Sequence, residues 1–217
     1  MNNPSQAVPR PSAATFKTRG LGIIALLGVL AFGLVAIAVE CLRTDLHWRD
    51  SPLSFYLLGP WGNWLQAAYV VLALALVALG AGYYLDRRGQ RRSAAPWLLF
   101  CCAGIGLCVT ALAHSNLPGS PPKLEGFVHG VAAQAAFLCV TVAMLLQSCW
   151  LRAEPCWRFR GHLLLGLAGL CFVAIWVDAL WRGMPRGLEQ RLVIALILTW
   201  LLLAAAGLIW RPRVTSR

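Results

Sequence analysis

Charge is scarce in this chain, and negative charge scarcest. Only 12% of its 217 residues are Asp, Glu, Lys or Arg, against about 25% in an ordinary soluble domain. There are 8 acids to 19 Lys and Arg, a formal net charge of +11. A chain this short of polar residues cannot cover a water-facing surface, which excludes a soluble globular domain. The alternating ten-residue pattern of membrane barrel strands is also missing. No Cys-x-x-Cys occurs among the eight cysteines at 41, 101, 102, 108, 139, 149, 156 and 171, which argues against structural zinc and thioredoxin-like chemistry. Most of these thiols fall in apolar runs, where cysteine behaves as a small hydrophobe. Only Cys41 falls near the outer face, so no partner for an extracytoplasmic disulfide is expected. No Gly-x-Ser-x-Gly is present, and Ser51, Ser54, Ser115 and Ser120 have no marked base beside them.

What the chain has is apolar length. Hydrophobic residues make up 59% of it, mean hydropathy is +0.67, and several runs exceed the roughly 18 uncharged residues of a spanning helix. In lipid each span must satisfy its own backbone hydrogen bonds, and helices do so. The expected fold is all-α: a polytopic bundle of six transmembrane helices forming one domain. The spans fall at about 20–42, 61–85, 94–114, 127–150, 161–181 and 188–210. A polar tail (1–19) precedes them and a basic tail (211–217) follows. The first run is longer than the apolar core of a cleaved signal and is expected to stay as an anchor. Pro96 sits early in the third span, where a missing amide costs little. Segments 43–60 and 115–126 read as loops.

Basic residues orient the bundle. Arg10, Lys17 and Arg19, the Arg87/Arg88/Arg91/Arg92 cluster, Arg152, Arg158 and Arg160, and Arg211, Arg213 and Arg217 fall on one side, with Asp86 and Glu154. The other side has Arg43, Arg49, Lys123, Arg182, Arg186 and Arg191, balanced by the remaining six acids. The whole +11 therefore lies on one side, which predicts both termini in the cytoplasm. This basic charge marks topology and attraction to anionic lipid, and no nucleic acid partner is needed to explain it. Tryptophans fall near both interfaces, Trp97, Trp150, Trp157 and Trp210 at the inner one and Trp48, Trp61, Trp64 and Trp181 at the outer, as aromatic belts do.

Polar residues gather at the outer ends of the helices. His47, His114 and His129 are there, and only His162 lies at the inner end. His129 shares a helical face with Ala132, Ala133 and Ala136, so it is expected to face the bundle, where an ionisable residue is a candidate for function. A buried histidine bonded to a carbonyl or carboxylate is an equally natural reading. His114 ends the third span, and Glu125 precedes His129 by one turn. Two imidazoles and a carboxylate could converge on a divalent metal, or the two imidazoles on haem, although the spacing matches no ligand motif. Three histidines that simply favour a wet interface explain the pattern better than either, and no cofactor is predicted. Asp178 stands four residues before Arg182, a good helix ion-pair spacing. Asn63 and Gln66 share a face at the start of the second span. Glycines 80, 82, 104, 106, 166 and 169 are expected to serve helix packing.

Taken in order, several short stretches resemble the bacterial and archaeal membrane family called domain of unknown function 998. They are Leu53-Ser54-Phe55-Tyr56 with Gly59, Trp61-Gly62-Asn63-Trp64-Leu65-Gln66, Val128-His129-Gly130-Val131-Ala132-Ala133 with Phe137, and Gly187-Leu188-Glu189-Gln190-Arg191. The resemblance covers roughly residues 20–210 and implies six helices in a bacterial cytoplasmic (inner) membrane, but no activity. The polar positions it implies are Ser54, Gln66, His129, Glu189 and Arg191.

The candidate ligand-binding residues are thus Ser54, Gln66, His114, Glu125, His129, Asp178, Glu189 and Arg191. The expected function is binding of a lipid or small ligand in a polar cavity at the outer side, as a sensor, carrier or assembly partner. Membrane lipids are the expected partners. The alternative is a membrane enzyme, metal-dependent or not, acting on a lipid-linked substrate through His114 and His129. A transporter is third, since no unpaired charge sits at a helix midpoint and no broken helices recur in matched halves.

Overall fold

The computed structural model describes residues 13–86, 93–116, 119, 121–154, 157–181, 183 and 185–210. The Arg87–Arg92 cluster, the Arg211–Arg217 tail, Cys156 and Arg182 lie outside the described residues, as does the side chain of Asp178.

Among the described residues six α-helices follow one another: α1 (Ala13–Leu42), α2 (Gly62–Asp86), α3 (Ala95–Leu112), α4 (Leu124–Ala153), α5 (Arg158–Leu180) and α6 (Arg186–Ile209). All six are long and apolar enough to cross a membrane. Proline marks two of the starts: Pro96 stands in the first turn of α3 and Pro185 is the N-cap of α6, positions where the missing amide has no helical partner to lose. Helix α1 begins seven residues before the apolar run that defines its span, since nothing in Ala13–Arg19 breaks a helix.

Each helix packs on its neighbours in sequence, and α1 packs on α6, which closes a ring in chain order. The ring is held by small residues and by satisfied polar groups. A Cβ on Gly106 of α3 would lie 3.0 Å from both the Ala132 carbonyl and Ala136 of α4, so the two backbones meet there with no room for a side chain. Gly80, Gly82 and Gly104 sit at similar contacts, whereas Gly166 and Gly169 of α5 face open space. The packing role expected of those last two is therefore not seen; α5 is the least buried of the candidate spans.

One end of the bundle is filled. Phe100 and Trp200 approach with ring centroids 6.3 Å apart. The Trp200 indole donates to the Leu164 carbonyl (3.0 Å) and the Ser148 hydroxyl (3.2 Å), tying α6 to α5 and α4. The Tyr83 hydroxyl donates to the Ala204 carbonyl at 2.8 Å. In a medium without water such partners must come from the protein itself. The seven described cysteines are free thiols.

The opposite end, which carries the α1–α2, α3–α4 and α5–α6 connections, is built differently. The segment expected to be a polar loop contains a 3-10 turn, Leu53–Leu57, whose Leu53, Tyr56 and Leu57 are buried. The loop is a packed cap on the bundle.

Candidate functional site

Two guanidinium groups fasten the cap. Arg43, just past α1, forms a two-pronged ion pair with Asp45, both contacts 2.7 Å, and donates to the carbonyls of Leu58 and Pro60. Arg191 of α6 donates from Nε to Glu40 of α1 (2.9 Å) and from Nη1 to the carbonyls of Ser51 (2.8 Å) and Gly187 (2.9 Å). The Tyr56 ring lies between them, 5.9 Å from Arg43 Cζ and 5.5 Å from Arg191 Cζ, where its π face attracts both cations. The Arg43 hydrogen bond holds the Asp45 carboxyl below its ordinary range, and burial pushes the Tyr56 phenol up. Backbone bonds complete the join: Leu188 N–H donates to Arg49 (2.9 Å) and Leu53 N–H to the Gln190 side chain (2.7 Å).

Beneath the cap, inside the ring, lies a narrow chamber of about 70 Å3. Its walls come from every helix except α5: Phe32, Leu72, Leu76, Ala103, Leu107, Phe137, Ile194 and Leu201 are representative. Ser54 reaches it from the cap, His129 from the start of α4 and Gln190 from the start of α6. Along α6 the lining runs from Gln190 to Leu201, which at 1.5 Å per residue is about 16 Å, half the thickness of a bilayer's hydrocarbon core. The cavity expected to be polar is thus apolar over most of its wall, with polar side chains gathered at the cap end. The other polar groups on its wall include Thr110, whose hydroxyl is turned back to the Gly106 carbonyl of its own helix.

His129 is 6% exposed and faces the bundle, as its run of alanine neighbours predicts. Its Nδ1 lies 2.8 Å from the Ala113 carbonyl, one of the acceptors left over where α3 ends. His114 meets Glu125 instead: its backbone N–H donates to Glu125 Oε1 at 2.8 Å, and its Nδ1 contacts the same oxygen. That pair is half exposed and staples the α3–α4 connection. The two imidazoles are thus neighbours in the fold with separate occupations, and no group of three His, Cys, Asp or Glu able to hold a metal exists among the described residues.

The remaining expected residues are scattered. Gln66 is half-buried outside the chamber. Glu189 is 7% exposed, and its Oε1 has no hydrogen-bond partner among the described residues. Arg191 belongs to the cap. Asp178 lies on α5, and the expected Asp178–Arg182 pair falls outside the described residues. Gln190, Glu40, Arg43 and Tyr56 matter more than their place in the sequence suggests. For Gln190 a signal exists: Ile194, Ile197 and Leu201 follow it at spacings of four, three and four, one helical stripe that carries its amide inward.

Fold and site together define a six-helix multi-pass membrane protein with an apolar chamber under a cap fastened by arginines. The chain belongs to the family described as protein of unknown function (DUF998), whose model matches residues 25–207. No curated protein and no solved structure matches it.

Proposed function

We propose that this protein binds a lipid or small apolar amphiphile in the chamber, as a sensor, carrier or assembly partner in a bacterial cytoplasmic (inner) membrane, with both termini in the cytoplasm. The observation that carries the reading is the chamber: apolar side chains over one leaflet's depth, with Ser54, His129 and Gln190 together at the cap end. Ligand sites are mostly apolar with a few placed polar groups, and here the apolar length suits a hydrocarbon chain. The membrane assignment draws on the basic residues at the end opposite the cap and the family resemblance. The enzymatic alternative has less behind it, because His114 and Glu125 pair with each other at the surface.

Purification in mild detergent followed by lipid extraction and mass spectrometry tests this. One bound amphiphile per chain is expected, and Ala133→Phe, which places a ring in the chamber beside His129, should displace it. A wild-type protein carrying no lipid above the level of a control membrane protein would overturn the reading.

A further inference from the structure

The hydrogen-bonding roles left open in the chamber restrict what head group it can hold. The Ala113 carbonyl only accepts, so Nδ1 of His129 carries the proton in their 2.8 Å bond, and the imidazole tautomer that this bond selects leaves Nε2 as an acceptor. The Leu53 N–H only donates, so Oε1 of Gln190 is its partner, and the amide NH2 is the part of Gln190 left to donate. Ser54 can do either, as can the hydroxyl of Tyr69, which also lines the chamber. Among the described residues, no Lys, Arg, Asp or Glu lines the chamber. Neither guanidinium of the cap lines the chamber: Arg43 is spent on Asp45 and backbone carbonyls, and Arg191 gives Nε and Nη1 to Glu40 and backbone carbonyls, its Nη2 having no partner among the described residues.

An anionic head would therefore enter an apolar space without a counter-charge, which is strongly unfavourable. A plain hydrocarbon would leave the His129 acceptor and the Gln190 donor unmatched. A hydroxyl matches both, because it donates and accepts at once. Resting on the reading that the chamber holds an amphiphile, we infer that the ligand is a neutral long-chain alcohol, its O–H donated to His129 Nε2 and its oxygen accepting from the Gln190 amide.

Four probes of one chain length separate the possibilities: 1-hexadecanol, hexadecane, hexadecanoate and hexadecyl phosphate. Each is added at equal mole fraction to the same detergent micelles with the delipidated full-length protein, and occupancy is read by native mass spectrometry. The alcohol should bind about tenfold more tightly than each of the others, the size of one well-matched hydrogen-bonding head. His129→Leu should erase that preference while leaving hexadecane binding in place, which also shows that the variant is folded. Equal binding of alcohol and alkane, or tighter binding of the acid or phosphate, would overturn the head-group assignment and leave the chamber reading standing. Failure of all four to bind would overturn both. The wild-type rank order decides by itself, so the test stands even if His129→Leu does not fold.

Discussion

Among the described residues a few buried polar atoms have no hydrogen-bond partner, and a carboxylate oxygen of Glu189 is among them. Arg43 is matched to a carboxylate and carbonyls, and Arg191 is matched through Nε and Nη1 but not Nη2; Glu189 is 7% exposed with a carboxyl oxygen that has no partner among the described residues. An unpaired polar atom in such a place costs about 1–3 kcal/mol. Glu189→Met is therefore expected to stabilise the protein by about 1 kcal/mol, read as a raised Tm in tryptophan-detected unfolding. A lowered Tm would mean that the carboxylate has an ionic partner. Asp45 behaves oppositely. The Arg43 hydrogen bond keeps its carboxyl below the usual range, so its stabilising contribution is whole above about pH 4, the ordinary carboxylate value, and fades as pH falls through the lowered one. Trp48 fluorescence should report loosening of the cap on acidification below about pH 4, and Asp45→Asn should already be loose at neutral pH. An unchanged acid transition in Asp45→Asn would refute this role.

At the scale of elements, the junction between cap and α6 decides whether the chamber is closed. Gly187 sits where a Cβ would lie 2.5 Å from the Trp48 carbonyl oxygen and 2.7 Å from that of Arg49. Gly187→Ala should push the cap off α6 and break the Leu188–Arg49 backbone bond, at a cost of about 1–3 kcal/mol as overpacking does. Gly166→Ala is the control: nothing lies within 4 Å of its added methyl, and replacing a mid-helix glycine should be neutral or gain up to about 1 kcal/mol. Equal Tm values for the two variants would show that the cap does not seat on α6. The helices themselves were legible in the sequence, because a run of uncharged apolar residues in lipid has no alternative to a helix. The 3-10 turn was not. Leu53, Tyr56 and Leu57 stand among polar residues in a short segment, and only the bundle end beneath them explains their burial.

For the molecule as a whole, the distribution of basic residues makes a directional prediction. A reporter active only outside the cytoplasm, fused after Arg217, should be silent, and the same reporter inserted in the α1–α2 connection should be active. The reverse pattern would refute the proposed orientation and move the capped end to the other compartment, leaving the chamber chemistry unchanged.

What the sequence by itself determined is the class: six apolar helices, polar residues at one end, and a histidine turned inward at 129. These follow from local rules, since run length, helical period and charge placement need no knowledge of neighbours. Only the tertiary structure decided which polar residues meet. His114 and His129 share one end of one helix pair, yet Glu125 takes the first and the Ala113 carbonyl takes the second. Arg191 finds Glu40, 151 positions away in the chain. Whether the inner space is filled or hollow likewise depends on how the ring closes. It is packed by Phe100 and Trp200 at one end and open beneath the cap at the other, because a void is a property of several helices together and of no single one.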